Sequence, residues 1–79
     1  MMEFLIRLGS VQDVQDFVDI ASTRPFAITV RDSHNKINAD SFMELFCLDF
    51  TQPLRVVCDC AQEQLNQLQR DLDRFVVRY

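Results

Sequence analysis

One glycine, two prolines and no tryptophan occur in 79 residues, and no stretch is repetitive or biased toward a few residue types. A chain with so few breakers, 48% hydrophobic residues and seven Phe is not composed like a disordered segment. No apolar run approaches the roughly 20 residues of a membrane-spanning helix. The segment Met1 to Leu8 is too short for a secretory leader with its cleavage site. Basic residues are also in deficit, eight Lys and Arg against twelve Asp and Glu, which gives a formal charge of -4 and a pI near 4.6. That field repels phosphate backbones and anionic lipid, so neither nucleic acid nor a membrane surface is an expected partner.

Histidine is nearly absent as well, with His34 alone, and the three cysteines form no CxxC pair. Cys47, Cys58 and Cys60 are an odd set, and the spacing Cys58-x-Cys60 lacks the second pair that a zinc site needs. No metal, no cofactor and no disulfide framework is expected, which fits a reducing cytoplasmic compartment. A chain of this length fills one hydrophobic core, so residues 1–79 are expected to form a single domain.

What is present reads as seven short elements. Glu3 to Leu8 suits a half-buried strand, closed by Gly9. Ser10 is a preferred N-cap, with Asp13 three residues on as a weaker relative of the capping-box acid, and opens a helix predicted to reach about Ser22. Val11, Val14, Val18 and Ala21 form its expected buried stripe, and Gln12, Asp16 and Asp19 its wet face. Pro25 stops the helix, and Phe26, Ile28 and Val30 then alternate with Ala27, Thr29 and Arg31 as a strand. Asp32-Ser33-His34-Asn35 is turn chemistry, which makes His34 a solvated turn residue, and Lys36 to Ala39 returns as a polar edge strand.

Ser41-Phe42-Met43-Glu44 has the S-x-x-E form, which predicts a capped second helix ending near Leu48. Leu54 to Cys58 is rich enough in β-branched residues for a central strand. Asp59 is the expected cap of a last helix carrying Leu65, Leu68, Leu72 and Phe75 at spacings 3, 4 and 3. The order strand, helix, strand, strand, helix, strand, helix predicts an α+β open-faced sandwich, with three helices on one face of a four-stranded antiparallel sheet.

That order resembles HPr, the phosphocarrier family of the bacterial phosphoenolpyruvate:sugar phosphotransferase system. The stretch from Ser41 through Leu45, Leu48, Asp49 and Phe50 to Val56-Val57 is similar to the family's Ser-Leu-x-x-Leu-x-x-Leu-Gly-Leu followed by a turn and a Val-rich strand. Phe17-Val18 matches an apolar pair of its first helix, and the alignment runs without a gap from about Phe4 to Asp59. The resemblance implies the HPr fold and a role linked to sugar transport and its regulation in bacteria.

The family carries phosphate on a His at the start of the first helix, within Gly-x-His-x-Arg-Pro-Ala. This chain has Ser10 at the His position, Gln12 at the Arg and Asp13 at the Pro. The imidazole nucleophile and the cation are both replaced, and a carboxylate faces any incoming phosphate. The reading is therefore an atypical HPr-like protein that is not an enzyme and acts by protein–protein interaction or regulation. The alternatives are a residual phosphoacceptor using Ser10 or Ser41, and a small-molecule-binding α+β module. Ser41 stands where relatives carry a regulatory phosphoserine, although Asp40 and Glu44 oppose added charge there and capping is the simpler role.

From Phe42 to Phe50 only Glu44 and Asp49 are charged or strongly polar, yet a short helix on a sheet buries only one stripe. With Leu45 and Leu48 inward, Phe42, Met43, Phe46 and Cys47 are expected to form a protein-binding surface. A phosphotransferase-system enzyme, a regulator or a second copy of the chain would occupy it.

Overall fold

Alternating apolar residues in the four strands decide which side of the sheet is covered. The computed structural model describes residues 2–77. Its elements are β1 (Met2–Ile6), α1 (Val11–Ala21), β2 (Ile28–Arg31), β3 (Lys36–Asn38), α2 (Phe42–Leu45), β4 (Leu54–Cys58) and α3 (Gln62–Asp71). The strands form one antiparallel sheet in the order β1-β4-β2-β3. β4 is thus central and β3 lies at an edge, as their apolar and polar compositions predict. At the other edge, residues 75–77 run along β1: Arg7 N donates to Phe75 O at 2.8 Å and Val77 N to Leu5 O at 2.9 Å.

Ile6, Ile28, Val30, Leu54, Val56 and Cys58 point to the helical side and are buried. They meet Val14, Phe17, Val18 and Ala21 of α1, Leu45 of α2, and Leu65 and Leu68 of α3, with Leu72 and Phe75 just beyond. The architecture is the α+β open-faced sandwich expected from the element order. No polar or charged side chain is buried among the described residues.

α1 begins as its cap residue predicts. Ser10 has extended backbone angles and its Oγ accepts from Asp13 N at 3.1 Å. Bonds of 2.8 Å from Gln12 to Asp16 and from Gln15 to Asp19 support the solvent side at i,i+4 spacing. Arg24, in the loop after α1, pairs with Asp71 at the end of α3, tying the two helices together.

Several expectations need correction. Val11 is 64% exposed rather than buried, because a helical side chain leans toward the N-terminus and the first residue of α1 reaches past the sheet it would cover. β1 ends at Ile6 and β2 begins at Ile28, so Arg7 and Leu8, and Phe26 and Ala27, lie outside the strands. Ala39 likewise follows β3, and α2 ends at Leu45, short of Leu48. α3 is entered from Ala61, whose N–H donates to Gln64 Oε1 at 3.0 Å. Asp59 continues the sheet, its N–H bonded to Ala27 O, and is not the cap.

Candidate functional site

Two places were singled out by the sequence, the start of α1 and the surface of α2. At the first, Ser10 and Gln12 are exposed and Asp13 is half-buried. The Ser10 hydroxyl accepts from Asp13 N, and the Asp13 carboxylate turns back to accept from Gly9 N at 2.9 Å. A carboxylate of the chain thereby occupies the positive end of the helix, where an incoming anion would otherwise be favoured. Gln12 is drawn away along the helix to Asp16, which also pairs with Arg74. The Gln12 amide is the leading cause that holds the Asp16 carboxyl below its ordinary range; desolvation opposes it and Arg74 assists. The first turn of α1 therefore offers a neutral hydroxyl, a neutral amide and a carboxylate, and no cation of its own. Such a set neither activates a nucleophile nor neutralises a phosphoryl group.

α2 is a single turn on which the capping box expected from Ser41 and Glu44 does not form. Ser41 has φ -95° and ψ 78°, outside the extended region that a capping serine adopts, and its side chain makes no cap bond. Its backbone is set by the preceding turn, in which Ser41 N donates to Asn38 O at 3.1 Å. The half-buried Ser41 hydroxyl is left out of the helix start.

Leu45 and Leu48 are inward and buried, while Met43 is 77% and Phe46 40% exposed. Cys47 is exposed and carries a free thiol. Phe42 is half-buried against the core and presents its ring to Phe46 edge-to-face, with centroids 5.2 Å apart. Phe46 in turn meets Phe50 at 6.2 Å and 84°. Phe50 is also packed against the core, so Phe46 stands between two anchored rings with one side in solvent. Such edge-to-face pairs contribute roughly 0.5–1.5 kcal/mol each beyond area burial. Phe50 was not among the expected surface residues, because α2 ends at Leu45 and no helical spacing carries on to Phe50.

Val11 joins this description. Val11, Met43 and Phe46 are the exposed large hydrophobics of the described residues; Val11 belongs to α1, Met43 to α2 and Phe46 caps the end of α2, and the two helices are in mutual contact. The remaining predicted features lie elsewhere. His34 is exposed in the β2–β3 turn, its N–H donating to Asp32 Oδ1 at 2.7 Å. Cys58 is fully buried, its thiol pushed up to about 12 by burial and, secondarily, by Cys60 beside it. A thiol so hard to ionise is a poor nucleophile or metal ligand. No group of three or more His, Cys, Asp or Glu suited to a metal ion occurs among the described residues, and no helix there is long and apolar enough to cross a membrane.

Neither a protein-family model nor a curated protein sequence matches the chain. Among solved structures it is similar to HPr-C-His from Thermoanaerobacter tengcongensis, with a TM-score of 0.74 and 22% identity over 94% of this chain and 89% of that one. It is also similar to Crh, the catabolite repression containing protein of Bacillus subtilis, whose structure is an intertwined, domain-swapped dimer. There the TM-score is 0.65 at 20% identity, covering 99% and 93% of the two chains.

Proposed function

With the HPr fold as the premise, we propose that this protein is an HPr-like interaction or regulatory protein, working as a single domain in the cytoplasm, and that it is not a histidine phosphocarrier. The observation that carries the proposal is the confinement, among the described residues, of exposed large hydrophobics to Val11 of α1, Met43 of α2 and Phe46 at the end of α2, the two helices touching. Leaving such side chains in water forgoes about 1.5–3 kcal/mol each, which a partner recovers on docking. Phe42 and Cys47 complete the surface, and Phe50 stiffens it from below. The first turn of α1 supports the negative half of the proposal, because Ser10, Gln12 and Asp13 together provide neither nucleophile nor cation.

The expected partner is a protein of the bacterial phosphotransferase system or a regulator it controls, and a second copy of the chain is the other occupant considered. Crh is a swapped dimer, which makes self-association worth measuring alongside. The test titrates the purified chain against purified phosphotransferase-system proteins by calorimetry, with sedimentation velocity for self-association. Met43→Gln should weaken the interaction with the unfolding free energy within about 0.5 kcal/mol of wild type, as for an ordinary surface substitution. Phe46→Ser should weaken it further and lower stability by about 1–3 kcal/mol, since two aromatic pairs are lost. Undiminished binding by both variants would place the docking surface elsewhere.

A further inference from the structure

The uncovered face of the sheet carries a feature unrelated to α1 and α2. β-Strand registry places Arg31 of β2 directly opposite Arg55 of β4, and on its other side opposite Lys36 of β3. Beyond Arg55 the row ends at Leu5 of β1. Val30 and Val56, the neighbours of Arg31 and Arg55, are buried on the helical side, so all three cations project from the open side. Directly opposed side chains have Cβ atoms about 4.5–5.5 Å apart, and like charges so placed repel. Three successive cations across three strands are therefore an unfavourable arrangement in an isolated sheet. They are also unexpected in a chain of net charge -4.

The nearby carboxylates do not resolve the repulsion. Asp32 spends one oxygen on the backbone N–H groups of His34 and Asn35 and the other on that of Asp49. Asp49 is engaged by the N–H and hydroxyl of Thr51. Among the described residues Glu3 alone reaches the row, 3.3 Å from Arg55, and both side chains of that pair are about half exposed. Arg31 and Lys36 form no ion pair among the described residues. Arg31 and Arg55 border a cleft of about 490 Å³, to which Ser33 and Gln52 add neutral hydrogen-bonding groups. Asp32 and Asp49 also line the cleft and would restrict an anion to its strand side.

We propose that Arg31 and Arg55, with Lys36 beside them, form a binding site for a dianionic phosphate group, either inorganic phosphate or the terminal group of a phosphomonoester. Guanidinium forks match phosphate oxygens in pairs, and three cations outnumber the single charge of a carboxylate. Bound phosphate would turn the cross-strand repulsion into attraction and hold the cations of three strands together.

The test is thermal unfolding and calorimetry at neutral pH and low ionic strength. Inorganic phosphate, glycerol 3-phosphate and sodium chloride are compared at matched ionic strength. A saturable rise in Tm with inorganic phosphate or glycerol 3-phosphate, absent with chloride, is expected, and which of the two acts tells the free anion from the ester. Arg31→Gln should melt no lower than wild type without ligand, because it removes repulsion. It should also lose about tenfold or more in phosphate affinity. Glu3→Gln should tighten binding by freeing Arg55. Equal rises with chloride and phosphate, persistence of the phosphate effect in an Arg31→Gln/Arg55→Gln variant, or response to an acidic peptide but not to phosphate would overturn the proposal.

Discussion

Asp32 shows how a single half-buried carboxylate can organise two loops of the backbone. Its Oδ1 accepts from His34 N at 2.7 Å and from Asn35 N at 2.6 Å, while Oδ2 accepts from Asp49 N at 3.0 Å. One side chain thus closes the β2–β3 turn and ties it to the connection between α2 and β4. The backbone N–H groups of His34 and Asn35 are the leading causes that lower its carboxyl from 3.8 to about 2. A depressed folded-state pKa means that the stabilisation is fully present above the unfolded value near 3.8 and is lost as the pH falls through about 2. Asp32→Asn should therefore be less stable than wild type at neutral pH, with a shallower loss of stability between about pH 4 and pH 2. Urea unfolding across that range checks this. Asp16 and Asp49 are lowered in the same direction, so some acid sensitivity should persist in the variant, whereas an unaltered profile would show that Asp32 holds nothing of consequence.

At the scale of elements, α1 and α2 begin with similar-looking signals and differ in structure. Ser10 has φ -153° and ψ 167° and caps α1, whereas Ser41 is held at φ -95° and ψ 78° and caps nothing. Ser10→Ala should cost about 0.5–2 kcal/mol, and Ser41→Ala should stay within about 0.5 kcal/mol. Denaturant unfolding of the two variants separates them directly. The sequence could not make this distinction, because a cap needs a side chain and also backbone angles, and the turn leaving β3 sets those of Ser41. Asp59 misleads for a related reason, since its residue type suits a cap while its amide still belongs to the β4–β2 ladder. Val11 obeys the helical spacing but sits one turn beyond the sheet, where periodicity has nothing to act on. The central place of β4 and the edge place of β3, by contrast, were legible, since β4 is apolar and β3 polar along their lengths. The inward positions of Val14, Val18, Leu65, Leu68 and Leu72 followed from spacing alone.

For the whole molecule, the apolar residues of α2 were readable as an excess over what one stripe can bury, and Met43, Phe46 and Cys47 are exposed as that excess required. Which neighbours stiffen the surface was not readable, because the Phe50 contact depends on how the chain turns after Leu48. The open sheet face was equally hidden, since only the register brings Arg31 against Arg55. The molecule thus combines an HPr-like fold with a first helix turn that carries Ser10, Gln12 and Asp13. The most direct test of this account is incubation with phosphoenolpyruvate and the general enzyme of the phosphotransferase system, with an ordinary HPr as positive control, read by intact-protein mass. Neither the wild-type chain nor the single variant Ser10→His should gain a phosphoryl group, because Gln12 and Asp13 would still leave it without a cation and beside a carboxylate. Stoichiometric phosphorylation of the wild-type chain would contradict the account.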